Sequence, residues 1–455
     1  MIARLAALLT RWSTRFVPDA FVIAAVLTGL VLGLGLVFTP HGPAALVRFW
    51  GNGFWELLSF GMQMCLVIMT GFIVAAAPPV TRLLDGLARA PRSPRQAIAL
   101  MAAVSMGMAW LNWGLSIVAS AVLARAIARR VRGVDYRLLV ASAYLGLGCL
   151  WHAGFSASAP LLSATPGNFM EKAMGGVVDI GATLFSGLNL GLAAVVLVAL
   201  TALAAAMHPP PEQTQALARE IDPALGDSGE DEEGAGPAAA AQPPATIAER
   251  LETSRAITLS VGACGVTWVA MTVAAKGAAA IDINFVNFVF LIGGLILHGR
   301  PSSFLRAAER GGAYLWGVVI QFPLYAGIFG IIKSSGLQEK LAGAFAGMVS
   351  AKAYPLFVVW YSGVLNYVVP SGGAKWSIEA PYVVQAARRV GAGLPHTIVA
   401  YAWGDMLTDV IQPFWAIPLL AMARLGFRDI MGYCLVFFLA YALIVTGGFA
   451  LLMMS

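Results

Sequence analysis

The chain has 455 residues, 59% of them hydrophobic and 11% charged, with a mean hydropathy of +0.78. A soluble domain carries about 25% charged residues, so this composition excludes one and points to a polytopic membrane protein whose length counts spans. The net charge of +6 hides a contrast: residues 207–255 hold ten of the 23 acids against three arginines, which leaves 13 acids and 26 bases elsewhere. Those bases are scattered between apolar segments, which excludes a nucleic-acid surface.

At the N-terminus Arg4, Arg11 and Arg15 precede an apolar run that reaches Phe38 without a small-residue cleavage site. This reads as an uncleaved first span, with the N-terminus cytoplasmic. Predicted spans follow at 20–38, 57–77, 137–172, 177–206, 256–275, 282–299, 313–333, 396–423 and 430–453. Each is near the roughly 20 residues a bilayer requires, except 137–172, which is long and broken. The stretches 97–128 and 353–387 do not fit as single spans. Cys65, Cys149, Cys264 and Cys434 lie singly in apolar sequence and read as packing residues.

An internal repeat accounts for the two misfits. Asp19 matches Asn284, Gln63 matches Gln321, Leu111-Asn112-Trp113 matches Leu365-Asn366-Tyr367, Arg129-Arg130-Val131 matches Arg388-Arg389-Val390, and Pro160-Leu161-Leu162 matches Pro418-Leu419-Leu420. The offsets stay between 254 and 265. Arginines flank 97–128 at both ends and mark both as cytoplasmic, so it enters, turns at Trp110 to Gly114 and leaves. Each arm of about 15 residues is half a span long. Its partner 353–387 is expected to do the same from outside. Residues 1–206 then form the first repeat, 207–255 a disordered acidic cytoplasmic linker, 256–275 an unpaired span, and 276–455 a second, inverted repeat. The expected fold is an all-α membrane protein with about nine spans and two re-entrant hairpins, an arrangement typical of secondary transporters.

Candidate functional residues lie at breaks in these apolar segments. Non-helical backbone at membrane depth is tolerated only when buried in protein or lining a cavity. The breaks are Asn112-Trp113-Gly114-Leu115-Ser116, Trp151 to Pro160 with His152, Ser156 and Ser158, the tip from Asn366 through Pro370-Ser371-Gly372-Gly373 to Lys375-Trp376, and Trp403 to Trp415. A helix restarting at such a break aims free N–H groups at a cavity and suits a carboxylate. Lys375 is expected to face the cavity, as substrate partner or as counter-ion to Glu379 or Asp405; the plainer reading is a lysine snorkelling from an outer loop. Asp405 and Asp409 share one helical face, with Thr408 and Gln412 near. They suit a proton carrier or, near Asp405, a sodium site; the plainer reading is helix capping beside Pro413. His152 is equally readable as a packing residue. Trp113, Trp151, Phe155, Trp376, Phe414 and Trp415 could wall an acyl-chain pocket or simply pack.

Together, Asn112-Trp113-Gly114-Leu115-Ser116, Trp151-His152-Ala153-Gly154, Ser158-Ala159-Pro160-Leu161-Leu162, Ala164-Thr165-Pro166-Gly167, Pro370-Ser371-Gly372-Gly373 with Lys375-Trp376, and Ile411-Gln412-Pro413-Phe414-Trp415-Ala416 resemble the bacterial short-chain fatty acid transporter family, over nearly the whole chain. That family is similar to a wider superfamily of inverted-repeat ion transporters. The resemblance implies uptake of small monocarboxylates such as butyrate or acetoacetate, coupled to a proton or sodium ion. It also implies a location in the bacterial cytoplasmic membrane, an elevator-type motion and a homodimer. The chain departs from the family pattern at Asp409, where an amide is usual, and in the length of its acidic linker.

Alternatives are an anion channel and a carrier for other small carboxylates. An intramembrane enzyme would need a nucleophile–base pair or a metal set, and His152 beside Ser156 and Ser158 is the sole hint of one. A pump would need a phosphate loop, and no Gly-rich Lys-Ser/Thr motif occurs. No cofactor is expected.

Overall fold

A computed structural model describes residues 20–216 and 246–454. Arg4, Arg11, Arg15 and Asp19, and the centre of the acidic linker at 217–245, lie outside the described residues.

In the first half, α1 (Ala20–Phe38), α2 (Pro43–Gly53), α3 (Leu58–Ala75) and α4 (Pro78–Ala88) are followed by α5 (Pro94–Leu111), α6 (Trp113–Arg130), α7 (Tyr136–Cys149), α8 (Ser158–Ala164) and α9 (Gly187–Ala206). Helix α10 (Arg255–Lys276) joins the halves. The second half comprises α11 (Ile283–His298), α12 (Pro301–Gly312), α13 (Trp316–Ser334), α14 (Leu337–Met348), α15 (Tyr354–Val368), α16 (Gly372–Val390), α17 (Leu394–Asp409), α18 (Ile417–Ala423) and α19 (Phe427–Met454). The order of long, short and paired helices recurs from α1–α9 to α11–α19. The chain is an all-α polytopic membrane protein. Among the described residues seven helices are long and apolar enough to cross a bilayer, and the bent pair α17–α18 makes an eighth. The expected span at 282–299 is the 16-residue α11, and the one at 177–206 becomes α-helical only at Gly187.

Periodic apolar runs reveal spans but not the short helices between them. Helices α2, α4, α12 and α14, of 11 or 12 residues, were not anticipated. All but α14 start with proline at the first or second position, where a missing N–H costs nothing. They are too short to cross a membrane.

Both misfit stretches fold back on themselves. Asn112 separates α5 from α6, and the Ser116 hydroxyl donates to the Ser105 carbonyl at 2.8 Å, tying the two arms. Residues Val369 to Ser371 separate α15 from α16, and the Tyr354 hydroxyl donates to the Val383 carbonyl at 2.8 Å across the second hairpin. Burial shows which elements form the interior. The most apolar window of Tyr136–Ala164 is 94% buried, against 17% for Arg255–Ala280. Small residues let the interior helices meet closely. A Cβ on Gly363 of α15 would sit 2.5 Å from Leu407 Cδ2 of α17, and one on Gly404 would strike the Val359 carbonyl.

Candidate functional site

The two broken spans cross at the centre. Helix α7 ends at Cys149, passes through a turn at Trp151–Ala153 and restarts as α8. Helix α17 ends at Asp409 and is bent by 72° from the segment Phe414–Ala423. The His152 N–H contacts the Met406 sulfur at 3.3 Å, and the Trp151 indole donates to Asp409 Oδ2 at 3.0 Å. The Tyr144 hydroxyl lies 3.0 Å from the Asp409 carbonyl, which also accepts the Gln412 N–H, and 3.1 Å from the Gln412 carbonyl at the bend.

The second hairpin tip rests on this crossing. Ser371 caps α16 by accepting the Ala374 N–H at 3.4 Å. The N–H groups of Gly372 and Gly373 begin the helix and have no intrahelical acceptor. Only glycine fits at 372. A Cβ there would lie 2.5 Å from Asp405 Oδ2, 2.8 Å from Trp151 Cη2 and 2.9 Å from His152 Cε1. The Trp415 indole fixes the approach by donating to the Pro370 carbonyl at 2.6 Å.

Between the tip and the crossing lies a cavity of ≈ 40 Å³. One water needs about 10–15 Å³ on this measure, so the space suits a small organic ion. Ser371, Gly372 and Gly373 line it from the tip, Trp113, Trp151 and Trp415 from the breaks, and Asp409 from the end of α17. Met64 and Ile68 of α3, Leu147 of α7, and Val318 and Phe322 of α13 complete it. Trp113 stands edge-on to both Trp151 and Trp415, with ring centres 6.3 and 5.2 Å apart. Among the described residues the cavity thus combines helix-start N–H groups, an aromatic wall and one carboxylate, with no basic side chain in its lining.

Lys375 lies behind the tip, fully buried. Its Nζ donates to the Ser362 carbonyl at 2.8 Å and hydroxyl at 2.6 Å, and pairs with Asp405 Oδ1 at 2.9 Å. Asp405 Oδ2 is 2.8 Å from His152 Nδ1, and His152 Nε2 is 2.8 Å from the Ser158 hydroxyl. The Ala159 N–H also points at Nε2, at 3.3 Å, which leaves the ring proton on Nδ1. Of its two expected roles, Lys375 holds that of counter-ion in this structure.

The remaining sequence candidates divide by what holds them. Asn112 caps α6 through Leu115 at 2.9 Å and reaches the Val67 carbonyl at 3.2 Å; Ser156 accepts the Trp113 N–H at 3.0 Å. These two residues and Ser116 build the first tip, while Gly114 lies against Ile68 of α3. Asn366 donates to Asp409 Oδ1 at 2.6 Å and is 3.3 Å from the Thr408 hydroxyl, which donates to the Gly363 carbonyl at 2.8 Å. Gln412 accepts the Phe414 N–H at 3.1 Å. Trp376 is buried against Tyr401, with centroids 4.5 Å apart. Met64, Ile68, Leu147, Val318, Phe322 and the lysine's partner Ser362 escaped the sequence reading. None of them sits at the break residues that carry the local signal.

A model of the family described as short chain fatty acid transporter matches residues 1–452. The chain belongs to the short-chain fatty acid transporter family. It is 40% identical over 451 residues to an Escherichia coli protein provisionally named a short-chain fatty acid transporter, covering 99% of this chain and 100% of that one. A Haemophilus influenzae protein with the same provisional name is 35% identical over 444 residues, 96% of each chain. In fold, the chain resembles the YdaH transporter of Alcanivorax borkumensis, with a TM-score of 0.55 at 17% identity over 96% of this chain and 98% of that one. MtrF of Neisseria gonorrhoeae, an antimetabolite efflux pump, gives 0.58 at 14% identity over 100% and 97%. At these identities the two structures speak for the fold alone.

Proposed function

We propose that the protein is a secondary carrier that takes up short-chain monocarboxylates such as butyrate or acetoacetate together with a proton or sodium ion. The observation behind this reading is the lining of the central cavity. The Gly372 and Gly373 N–H groups and the positive end of α16 offer a carboxylate site. Trp113, Trp151 and Trp415 offer an apolar wall for a short chain. Asp409 faces the same space, and among the described residues no basic side chain lines it. An anion entering beside an ionised carboxylate is repelled, and a cation on Asp409 removes that repulsion. The cavity's own charge supports a symport reading. Among the other candidates, Thr408 and Gln412 border this acid, while Lys375, His152 and Ser158 hold Asp405 behind it.

In this account the two halves are inverted repeats, and the hairpins enter the bacterial cytoplasmic membrane from opposite faces, with the N-terminus inside. The protein works as a homodimeric carrier and performs no chemistry on its substrate. The rival reading is a channel for small anions. Counterflow with the membrane potential held at zero separates them: proteoliposomes preloaded with unlabelled butyrate should draw in labelled butyrate transiently above equilibrium, whereas a channel lets the label only equilibrate.

A further inference from the structure

We propose that Glu379 is a second proton-binding site, one helical turn behind Lys375 on α16, and that its proton decides which acid the lysine pairs with. The proposal rests on the carrier reading for its kinetic consequences only.

Glu379 is fully buried, and among the described residues neither of its carboxyl oxygens has a partner in full hydrogen-bond geometry; Lys375 and Ser362 are the donors beside it. Its Oε1 lies 3.7 Å from Lys375 Nζ. Two of the three ammonium protons go to the Ser362 carbonyl and hydroxyl, and the nitrogen lies nearer to Asp405 Oδ1, at 2.9 Å, than to Glu379. The other two acids of this cluster are better supplied. Asp405 has Lys375 and His152, and Asp409 accepts N–H groups from Trp151 and Asn366.

Charge accounting leads to the same place. The His152 ring is neutral, because the Ala159 N–H is directed at Nε2. One ammonium therefore serves three buried carboxyls. Ionising all three would leave a net charge of −2 in a dry interior, where an unpaired ion costs several kcal/mol. The acid with the weakest donors is the one that keeps its proton. Around it stand Lys375 and Tyr382 on its own helix, Ser362, Tyr354 and Tyr361 on α15, and Asp405 and Tyr401 on α17, with His152 reaching the group through Asp405. The Tyr354 and Tyr361 hydroxyls are already directed to Val383 and Tyr382.

When Glu379 releases its proton to water, the new carboxylate competes with Asp405 for Lys375. The cluster loses one unit of positive charge. Asp405 presses on Gly372, and the Tyr401 hydroxyl, whose ring lies under the ammonium at 4.8 Å, holds the Gly372 carbonyl at 2.6 Å. Drawing the lysine one turn along α16 unloads the tip that lines the cavity. Glu379 acts through Lys375, so it is a positioning residue.

Two measurements on the purified full-length protein test this. Infrared difference spectra in H₂O and D₂O should show the carbonyl band of a protonated carboxyl in the wild type that is missing in Glu379→Gln. Butyrate exchange in proteoliposomes at equal pH inside and out should fall with rising pH in the wild type, with a limiting slope of about tenfold per pH unit for one proton. Glu379→Gln, which mimics the protonated form, should lose that fall, and Glu379→Asp should restore it. An unchanged carbonyl band in Glu379→Gln, or an unchanged alkaline fall, overturns the proposal. A wild type that exchanges no butyrate while Glu379→Gln still removes the band contradicts the carrier reading and supports the proton site.

Discussion

Lys375 Nζ and Asp405 Oδ1 form a fully buried ion pair at 2.9 Å, joining the first turn of the second hairpin's return helix to the broken span beside it. A buried pair is worth little against an apolar replacement, but breaking it leaves an uncompensated charge at a cost of about 3–5 kcal/mol. Lys375→Met should therefore lower the unfolding temperature in detergent sharply and abolish exchange. Adding Asp405→Asn should recover most of the thermal stability but not transport. Equal melting of wild type and Lys375→Met would show that the lysine is held by Ser362 alone.

Asp409 supplies the cavity's one carboxylate, accepting the Trp151 and Asn366 side chains on separate oxygens. Asp409→Asn keeps the shape and removes the charge. Its counterflow of butyrate should persist, while accumulation driven by an ion gradient collapses to equilibrium. Gradient-driven accumulation at the wild-type level would place the coupling cation elsewhere.

Gly372 is fixed by its neighbours from both halves. A methyl there meets Asp405, Trp151 and His152 inside 3.0 Å. Overpacking of this kind costs about 1–3 kcal/mol. Gly372→Ala should leave a folded, monodisperse protein whose exchange rate drops by about 5–150-fold, the same energies expressed as a rate. Michaelis analysis of exchange checks it.

Away from the site, Asp85 on α4 bridges Arg89 at 2.6 Å and Arg130, at the end of α6, at 2.5 Å. Slight burial pushes its carboxyl up, but hydrogen bonds and charge from Arg89 and Arg130 outweigh that and hold it below the usual range. A lowered folded value means that the bridge stabilises above the unfolded carboxylate pKa of about 3.9 and is lost as pH falls through the folded one. The side chain is 40% exposed, so the effect stays below about 1 kcal/mol. Asp85→Asn should melt slightly earlier at neutral pH, with the difference vanishing in acid and in about 1 M salt.

The sequence reading and the structure agree where physics leaves a local trace. A 20-residue apolar run can hardly be anything but a span, and α1, α3, α10, α13 and α19 fall within about four residues of their expected limits. The break at Pro370-Ser371-Gly372-Gly373 announced the turn before α16, and Asn112 announced the one between α5 and α6. Partnership left no such trace. The sequence offered Lys375 a substrate, Glu379 or Asp405; only the packing of α15, α16 and α17 makes Asp405 its nearest acid and Ser362 its hydrogen-bond acceptor. Likewise Asn112, Ser156 and Ser116, polar residues at a break, are spent on holding the first tip together. The apolar half of the cavity, from Met64 to Phe322, comes from side chains whose apolar character alone does not set them apart from a lipid-facing face.

The central claim is that a short-chain carboxylate and a cation share the cavity beside Asp409. Its most direct test is uptake of labelled butyrate into proteoliposomes with an inward proton gradient or an inward sodium gradient imposed separately. The account predicts accumulation above equilibrium under one of the two, abolished in Asp409→Asn. Equilibration without accumulation under both gradients would contradict it.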